Sequence, residues 1–268
     1  MIIAVLIFIT AVLIYLTLEY SLLIPPTKEG LPVLMYHKVS QTHNNGLTVS
    51  TEKLRKHFEY LQKKGYSTIS FKELEQSQIE KIKLPKKPII ITFDDGYQNN
   101  YDLALPLLQE FNFKATIFLP VYYIGKVNEW DKENDPIMDY NTIKKCTDTG
   151  LIEFGVHSYK HQSYKEMTIN EIKIDLQQCT TDLDKNNINY VKVLAYPYGA
   201  FPKKDIAKKE KMKELFKQTN ITFALRIKNR INKLPISDIY EVKRIDIKGI
   251  YNFFEFKTKV KKGRTKMF

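Results

Sequence analysis

Short apolar runs alternate with helical patterns along most of this 268-residue chain, and that rhythm limits its fold more than any other feature. LPVLMYH at Leu31 to His37, PIIITF at Pro88 to Phe93, ATIFLP from Ala115, IEFGVH from Ile152, KVLAYP from Lys192 and TFALR from Thr222 read as strands. Between them, helical spacing covers Ser50 to Lys64, with Leu54, Phe58 and Leu61 on one side, then Tyr101 to Phe111, Thr142 to Asp148, Ile169 to Leu183 and Ile206 to Lys217. Ser50 or Thr51 can cap the first of these and Thr168 a later one, while Gly65 supplies an exit and Pro106 implies a bend or a late start. PIIITF is the clearest buried strand, because its isoleucines run on without alternation. Six or seven strand-helix alternations signal a parallel α/β fold, a (β/α) barrel or an open sheet, in which functional groups gather where strands end. The polar, aperiodic stretch from Tyr122 to Asp139, which contains Trp130, is expected to be a loop.

The length suits one sizeable domain, and an apolar share of 43% is ordinary for a folded chain. Ile2 to Leu18 carry no charge, Glu19 interrupts, and YSLLI extends the apolar region to Ile24. At about 1.5 Å per residue such a helix would cross a hydrocarbon core of about 30 Å. Residues 1–24 are therefore predicted to be a transmembrane membrane anchor, uncleaved because a basic leader and a small-residue cleavage site are missing, with 25–30 as a linker. Lys28 and Lys38 would hold the following side in the cytoplasm, whereas the chemistry described below places the domain outside the cell membrane and carries more weight. The expectation is a single-pass membrane protein facing outward, or a secreted one if the segment is cleaved.

The net charge of +12 is uneven: six of the last twelve residues, 257–268, are lysine or arginine. This basic tail is expected to be mobile and able to lie against anionic lipid or an anionic surface polymer. No nucleic-acid motif accompanies it, so no nucleic-acid partner is expected. Two cysteines, Cys146 and Cys179, provide neither a zinc-site spacing nor a disulfide framework, and their pairing is left open.

Three polar clusters follow strands. TFDDG places Asp94 and Asp95 behind PIIITF, where two adjacent carboxylates in a low-dielectric setting need a compensating cation. Alone, the pair reads equally well as a solvated Asp-Gly turn. HSYKH places His157 and His161 behind IEFGV, a spacing of four that on a helical turn would bring both imidazoles to one side to grip an ion. Two histidines and a carboxylate form a facial set that leaves positions open for water and substrate. AYPYG follows the next strand; Pro197 fixes its own φ and Gly199 relaxes the turn, so that the Tyr198 N–H can be directed inward. That segment also reads as an aromatic reverse turn on a barrel rim.

In this order, TFDDG, HSxxH and a YPYG turn, the chain resembles the polysaccharide deacetylases of the NodB-homology type, carbohydrate esterase family four, over about Leu31 to Phe256. With LMYHKV near the domain start, it is most similar to the branch that deacetylates poly-N-acetylglucosamine of biofilms. The resemblance implies a distorted (β/α) barrel at 31–256 and one divalent metal ion, zinc first, with nickel, cobalt or iron also compatible. It implies an N-acetylglucosamine-containing polysaccharide as partner, Asp94 as general base, and Asp95, His157 and His161 as metal ligands. The Tyr198 N–H would be an oxyanion donor. Ala195 stands where many members carry an arginine that orients the base, and VKRIDI lacks the late histidine that supplies the acid. The biofilm branch departs in the same way and takes its acid from the MYH segment, which implies His37; Arg244 is the candidate to support Asp94. The function expected is metal-dependent N-deacetylation of poly-β-1,6-N-acetylglucosamine outside the cell. Peptidoglycan or chitin-like substrates, or an inactive polysaccharide-binding protein, are the alternatives.

Physically, amide hydrolysis needs an activated water, a place for oxyanion charge and a proton for the departing amine. Histidine is the residue type that changes charge near neutral pH, which suits the last task. Tyr97, Trp130, Tyr159, Tyr164 and Tyr196 are candidates for stacking on sugar rings, and His43 and His57 are expected at the surface.

Overall fold

The strand-helix rhythm is realised as a parallel barrel in the computed structural model, which describes residues 2–19 and 30–265. In chain order the elements are α1 Ile2–Glu19, β1 Val33–Tyr36, β2 Lys38–Ser40, β3 Thr48–Ser50, α2 Thr51–Lys63, β4 Ser67–Thr68, α3 Phe71–Ile79 and β5 Pro88–Phe93. A π-helical turn at Asn100–Ala104 leads into α4 Leu105–Phe111, followed by β6 Ala115–Leu119, α5 Tyr140–Asp148, β7 Ile152–Val156 and α6 Ile169–Lys185. The chain continues through β8 Val193–Ala195, α7 Ile206–Gln218, β9 Phe223–Ile227, β10 Val242–Asp246 and α8 Phe253–Lys262.

Strands β1, β10, β9, β8, β7, β6 and β5 neighbour one another in that order, and a β1–β5 pairing closes the ring. Every pairing is parallel. The distortion lies at β5, whose outer edge is shared: Pro88 and Ile89 pair with β4, while Thr92 and Phe93 pair with β6. The end of β5 at which the acidic turn begins is thus held between β1 and β6.

Local chemistry accounts for the element ends. Ser50 caps α2 by accepting from the Lys53 N–H, and Thr168 with Glu171 forms a reciprocal capping box on α6. Pro106 sits in the first turn of α4, where its missing N–H is not needed, so the α-helix starts late, behind the π-turn. Helix α3 and the β2–β3 pair were not anticipated, because their segments are short and mostly polar. Helix α8 takes in Lys257 to Lys262, read from sequence as the start of a basic tail, and buries Thr258, Lys259 and Val260. Residues 266–268 lie outside the described residues. Cys146 and Cys179 are separate buried thiols, and burial pushes both to higher pKa.

The expected transmembrane helix is corrected. Among the described residues no helix is long and apolar enough to cross a membrane. The described part of helix α1 runs from Ile2 to Glu19, and its last residue is an acid. The continuation over 20–24 and all of the 25–30 linker except Gly30 lie outside the described residues. The single-pass topology, the membrane as partner and the outward cell-membrane location rested on that span and are withdrawn with it.

His57 is also not a surface residue. It is 1% exposed, its ring stacks on Phe256 at 3.7 Å, and its Nδ1 lies 3.2 Å from the Tyr36 hydroxyl. Leu54, His57, Phe58 and Leu61 fall at i, i+3, i+4 and i+7, so the helical period did mark it as inward. Burial pushes its pKa down to about 3 from 6.5, with Lys53 adding to the effect. Below 6.5 the unfolded chain therefore takes up a proton that the folded chain refuses. The stability tied to a neutral His57 is complete above that value and is lost as pH falls toward about 3, at up to about 1.4 kcal/mol per pH unit. Denaturant titrations should show the stability difference between wild type and His57→Gln narrowing by about 2 kcal/mol from pH 7 to pH 4.5. A difference independent of pH would contradict this.

Candidate active site

The β5 strand delivers Asp94 to the end of the barrel, and the Asp94 N–H donates to the Tyr36 carbonyl at 2.9 Å, one step beyond the β1–β5 ladder. Asp95 and Gly96 then both take left-handed backbone, with φ of 72° and 63°. Aspartate tolerates that region, whereas at Gly96 a side chain would also strike Leu119, with a Cβ only 2.6 Å from its Cδ2. This sharp reversal turns two neighbouring carboxylates into the barrel mouth, both almost fully buried.

Their surroundings differ. Asp94 receives both terminal nitrogens of Arg244, Nη1 on Oδ1 and Nη2 on Oδ2 at 2.8 Å. Arg244, on β10, has no exposed surface. The sequence left the support of Asp94 open and suggested Arg244, and the structure brings that guanidinium onto Asp94. Burial alone would raise the Asp94 pKa, but Arg244, His157 and His37 outweigh it and hold the carboxyl below its usual range. Oδ2 also lies 3.9 Å from Nε2 of both His37 and His157.

Asp95 faces the paired imidazoles. Its Oδ1 is 3.2 Å from His161 Nε2 and 3.5 Å from His157 Nε2, and it is buried without a hydrogen-bond donor. Burial works against its charge, yet the close imidazoles, His161 foremost and then His157 and His37, outweigh it and keep it strongly ionised. His157 Nδ1 meets the Ala195 carbonyl at 2.7 Å. A carbonyl can only accept, so Nδ1 carries the proton and Nε2 offers its lone pair to the Asp95 side. Burial pushes His157 down to about 4, so it is neutral near pH 7, the state a ligand needs.

One carboxylate oxygen and two imidazole nitrogens, from Asp95, His157 and His161, all lie within 4.8 Å of one another. Arg244 balances Asp94, but among the described residues no lysine or arginine pairs with Asp95. A divalent ion fits that remainder, and the three residues form one divalent metal site. An N2O set with open positions suits zinc, nickel, cobalt or iron.

The histidine pair does not achieve this on a helix. Residues 157–161 form a loop in which Ser158 and His161 have φ of 62° and 55°. Asp175 of α6 fastens the loop, accepting from the Tyr159 N–H at 2.8 Å and the Tyr164 hydroxyl at 2.5 Å. The sequence spacing found the ligands but assigned the wrong local geometry.

Asp94, Asp95, His37, His157, His161 and Tyr198 all line one cavity of about 430 Å³. Tyr198 has φ of 58° and an exposed side chain, and its hydroxyl is 3.1 Å from His161 Nδ1. Of the five aromatics expected at a sugar-stacking rim, Trp130 lines the cavity. Tyr97, Tyr164 and Tyr196 are fully buried core residues, and the Tyr159 hydroxyl is engaged with Asp182 at 2.8 Å. Leu47, Asp246 and Lys248 also line the cavity and were not anticipated; Asp246 ends β10 and Lys248 stands two residues beyond it, which was a positional signal.

Comparison with known proteins agrees with this geometry. The polysaccharide deacetylase family matches residues 81–215, half of the chain. YxkH of Bacillus subtilis (strain 168) is 28% identical over 181 residues, covering 68% of this chain and 61% of the relative. The poly-beta-1,6-N-acetyl-D-glucosamine N-deacetylase of Staphylococcus epidermidis is 25% identical over 206 residues, covering 74% of this chain and 67% of that protein. The chain thus spans about three fifths to two thirds of the length of these curated relatives. A solved de-N-acetylase from Aggregatibacter actinomycetemcomitans shares the fold, with a TM-score of 0.71 at 21% identity over 86% of this chain and 100% of that one. Barrel, metal triad and family match agree, and the chain belongs to the polysaccharide deacetylase family of the NodB-homology type, carbohydrate esterase family four.

Proposed function

We propose that the chain is a metal-dependent N-deacetylase of N-acetylglucosamine polysaccharide, with poly-β-1,6-N-acetylglucosamine as its substrate. The observation that carries the reading is the convergence of a metal triad, an arginine-held carboxylate and His37 on one cavity. When bound, the divalent ion supplies Lewis-acid polarisation of the acetyl carbonyl and lowers the pKa of water.

The protein's own groups do the rest. Arg244 occupies one lone pair on each Asp94 oxygen, which leaves another on Oδ2, the atom nearest His37 and His157, to accept a proton from the attacking water. As the C–O bond forms, negative charge collects on the former carbonyl oxygen, and the Tyr198 N–H is assigned to steady it. His37, in its imidazolium form, gives a proton to the sugar nitrogen as the C–N bond breaks, so that acetate and a free amine leave. His37 is part-exposed, with its Nε2 3.9 Å from Asp94 Oδ2, which suits a group that must exchange its proton with solvent between turnovers.

The finer substrate assignment is supported by the histidine after β1, by the lack of any histidine after His161, and by the name of the staphylococcal relative. Acetate release should be compared on defined poly-β-1,6-N-acetylglucosamine oligomers and on peptidoglycan. The expected result is a kcat/KM at least about tenfold higher on the former, about 1.4 kcal/mol of transition-state preference. Equal or faster release from peptidoglycan would overturn the substrate assignment while leaving the reaction class in place.

A further inference from the structure

Trp130 lies on the aperiodic segment between β6 and α5, yet its ring is placed with care. It stacks on the His161 imidazole at 4.2 Å and 25°, meets Tyr123 edge-on at 5.0 Å, and stands between two cavities. One is the catalytic cavity of about 430 Å³; the other, of about 580 Å³, lies beyond Trp130 and Tyr198.

What holds this loop is charge. Lys38, on β2 directly after His37, is 3% exposed. Its Nζ reaches Asp131 at 3.1 Å, Glu133 at 2.7 Å and Asp135 at 2.5 Å, and it lies 5.0 Å from the Tyr97 ring centre. The Asn128 amide donates to the Tyr97 hydroxyl at 3.3 Å, which anchors the near end of the loop to the segment after β5. Burial works against the Lys38 charge, but hydrogen bonds to the three carboxylates outweigh it and hold the ammonium above the usual lysine range. One cation among three carboxylates leaves an excess of negative charge, so removing it would both release the tether and leave the acids repelling one another.

We propose that Lys38 is a positioning residue that straps the loop at 128–135 to the barrel and thereby holds Trp130 flat against His161 as the wall of the catalytic cavity. The strap ties the proposed acid, His37, and the ligand, His161, to one electrostatic cluster through adjacent residues. Its catalytic consequence rests on the deacetylase reading; the placement of Trp130 does not.

Trp130 is the single tryptophan of the chain, so intrinsic fluorescence reads the loop directly. In the full chain, Lys38→Met should move the emission to longer wavelength and raise acrylamide quenching severalfold, with far-UV circular dichroism unchanged, and Lys38→Arg should restore most of both. Ni2+ should quench Trp130 in the wild type. In Lys38→Met it should quench far less, although calorimetry still records binding with affinity within about 10-fold, the lower end for loss of a supporting residue. If Lys38→Met does not fold, Asp131→Asn with Glu133→Gln removes two attachments from the solvent side and should shift emission in the same direction. Unchanged emission, accessibility and Ni2+ quenching in whichever variant folds would overturn the strap. Absence of acetate release from the wild type would count against the deacetylase reading alone.

Discussion

Replacing Asp94 with asparagine is expected to lower the turnover for acetate release by about 10²–10⁴-fold while one divalent ion still binds. Asp94 is not among the three clustered ligands, so the triad keeps its donors, and the amide cannot take a proton from water. The variant should also be less stable. Arg244 has no exposed surface, and both its terminal nitrogens are directed at Asp94. Removing one charge of a buried pair costs about 3–5 kcal/mol, because the other is left uncompensated. Asp94→Leu combined with Arg244→Met should recover part of that stability without recovering activity, which separates the structural role of the pair from its chemical one. The checks are steady-state acetate release, calorimetric metal titration and denaturant unfolding. An Asp94→Asn variant within tenfold of wild-type turnover would remove Asp94 from the proposed mechanism.

Much of the fold was legible because the barrel strands are buried on both faces and so read as unbroken apolar runs. PIIITF, ATIFL and IEFGV became β5, β6 and β7 with nearly the boundaries expected. The chemistry was legible because it follows those strands directly. Elsewhere less was legible, for physical reasons. Backbone reversals at Asp95, Ser158 and His161 bring the ligands together through left-handed residues, and neither aspartate, serine nor histidine announces such a conformation. The salt bridge between Arg244 and Asp94 spans 150 positions, a separation over which no local pattern operates. Tyr97, Tyr164 and Tyr196 look like sugar platforms in a list of loop aromatics, but Tyr164 and Tyr196 join the main core and Tyr97 packs with Tyr123 and Ile137 in a smaller one. The apolar opening misled in the opposite direction: an uncharged run is necessary for a membrane span, yet among the described residues no helix is long and apolar enough to cross one.

The second large effect concerns Asp95. Its Oδ1 is buried with no hydrogen-bond partner, 3.2 Å and 3.5 Å from the Nε2 atoms of His161 and His157, and the lone pair that His157 presents there cannot satisfy it. An ion resolves that arrangement, so Asp95→Ala should weaken metal binding by more than the roughly 10–100-fold that loss of a supporting residue costs. His157 and His161 would remain as a two-donor remnant. Activity should fall with occupancy, in contrast to Asp94→Asn, where occupancy persists and activity does not.

The most direct measurement determines metal content and acetate release on the same preparation of wild type and Asp95→Ala, before chelation, after it, and after return of zinc, cobalt or nickel. The account predicts one ion per wild-type chain, activity that disappears with the ion and returns with one equivalent, and an Asp95→Ala protein that neither holds the ion nor regains activity. Undiminished acetate release from metal-free wild type, or full activity in Asp95→Ala, would contradict it.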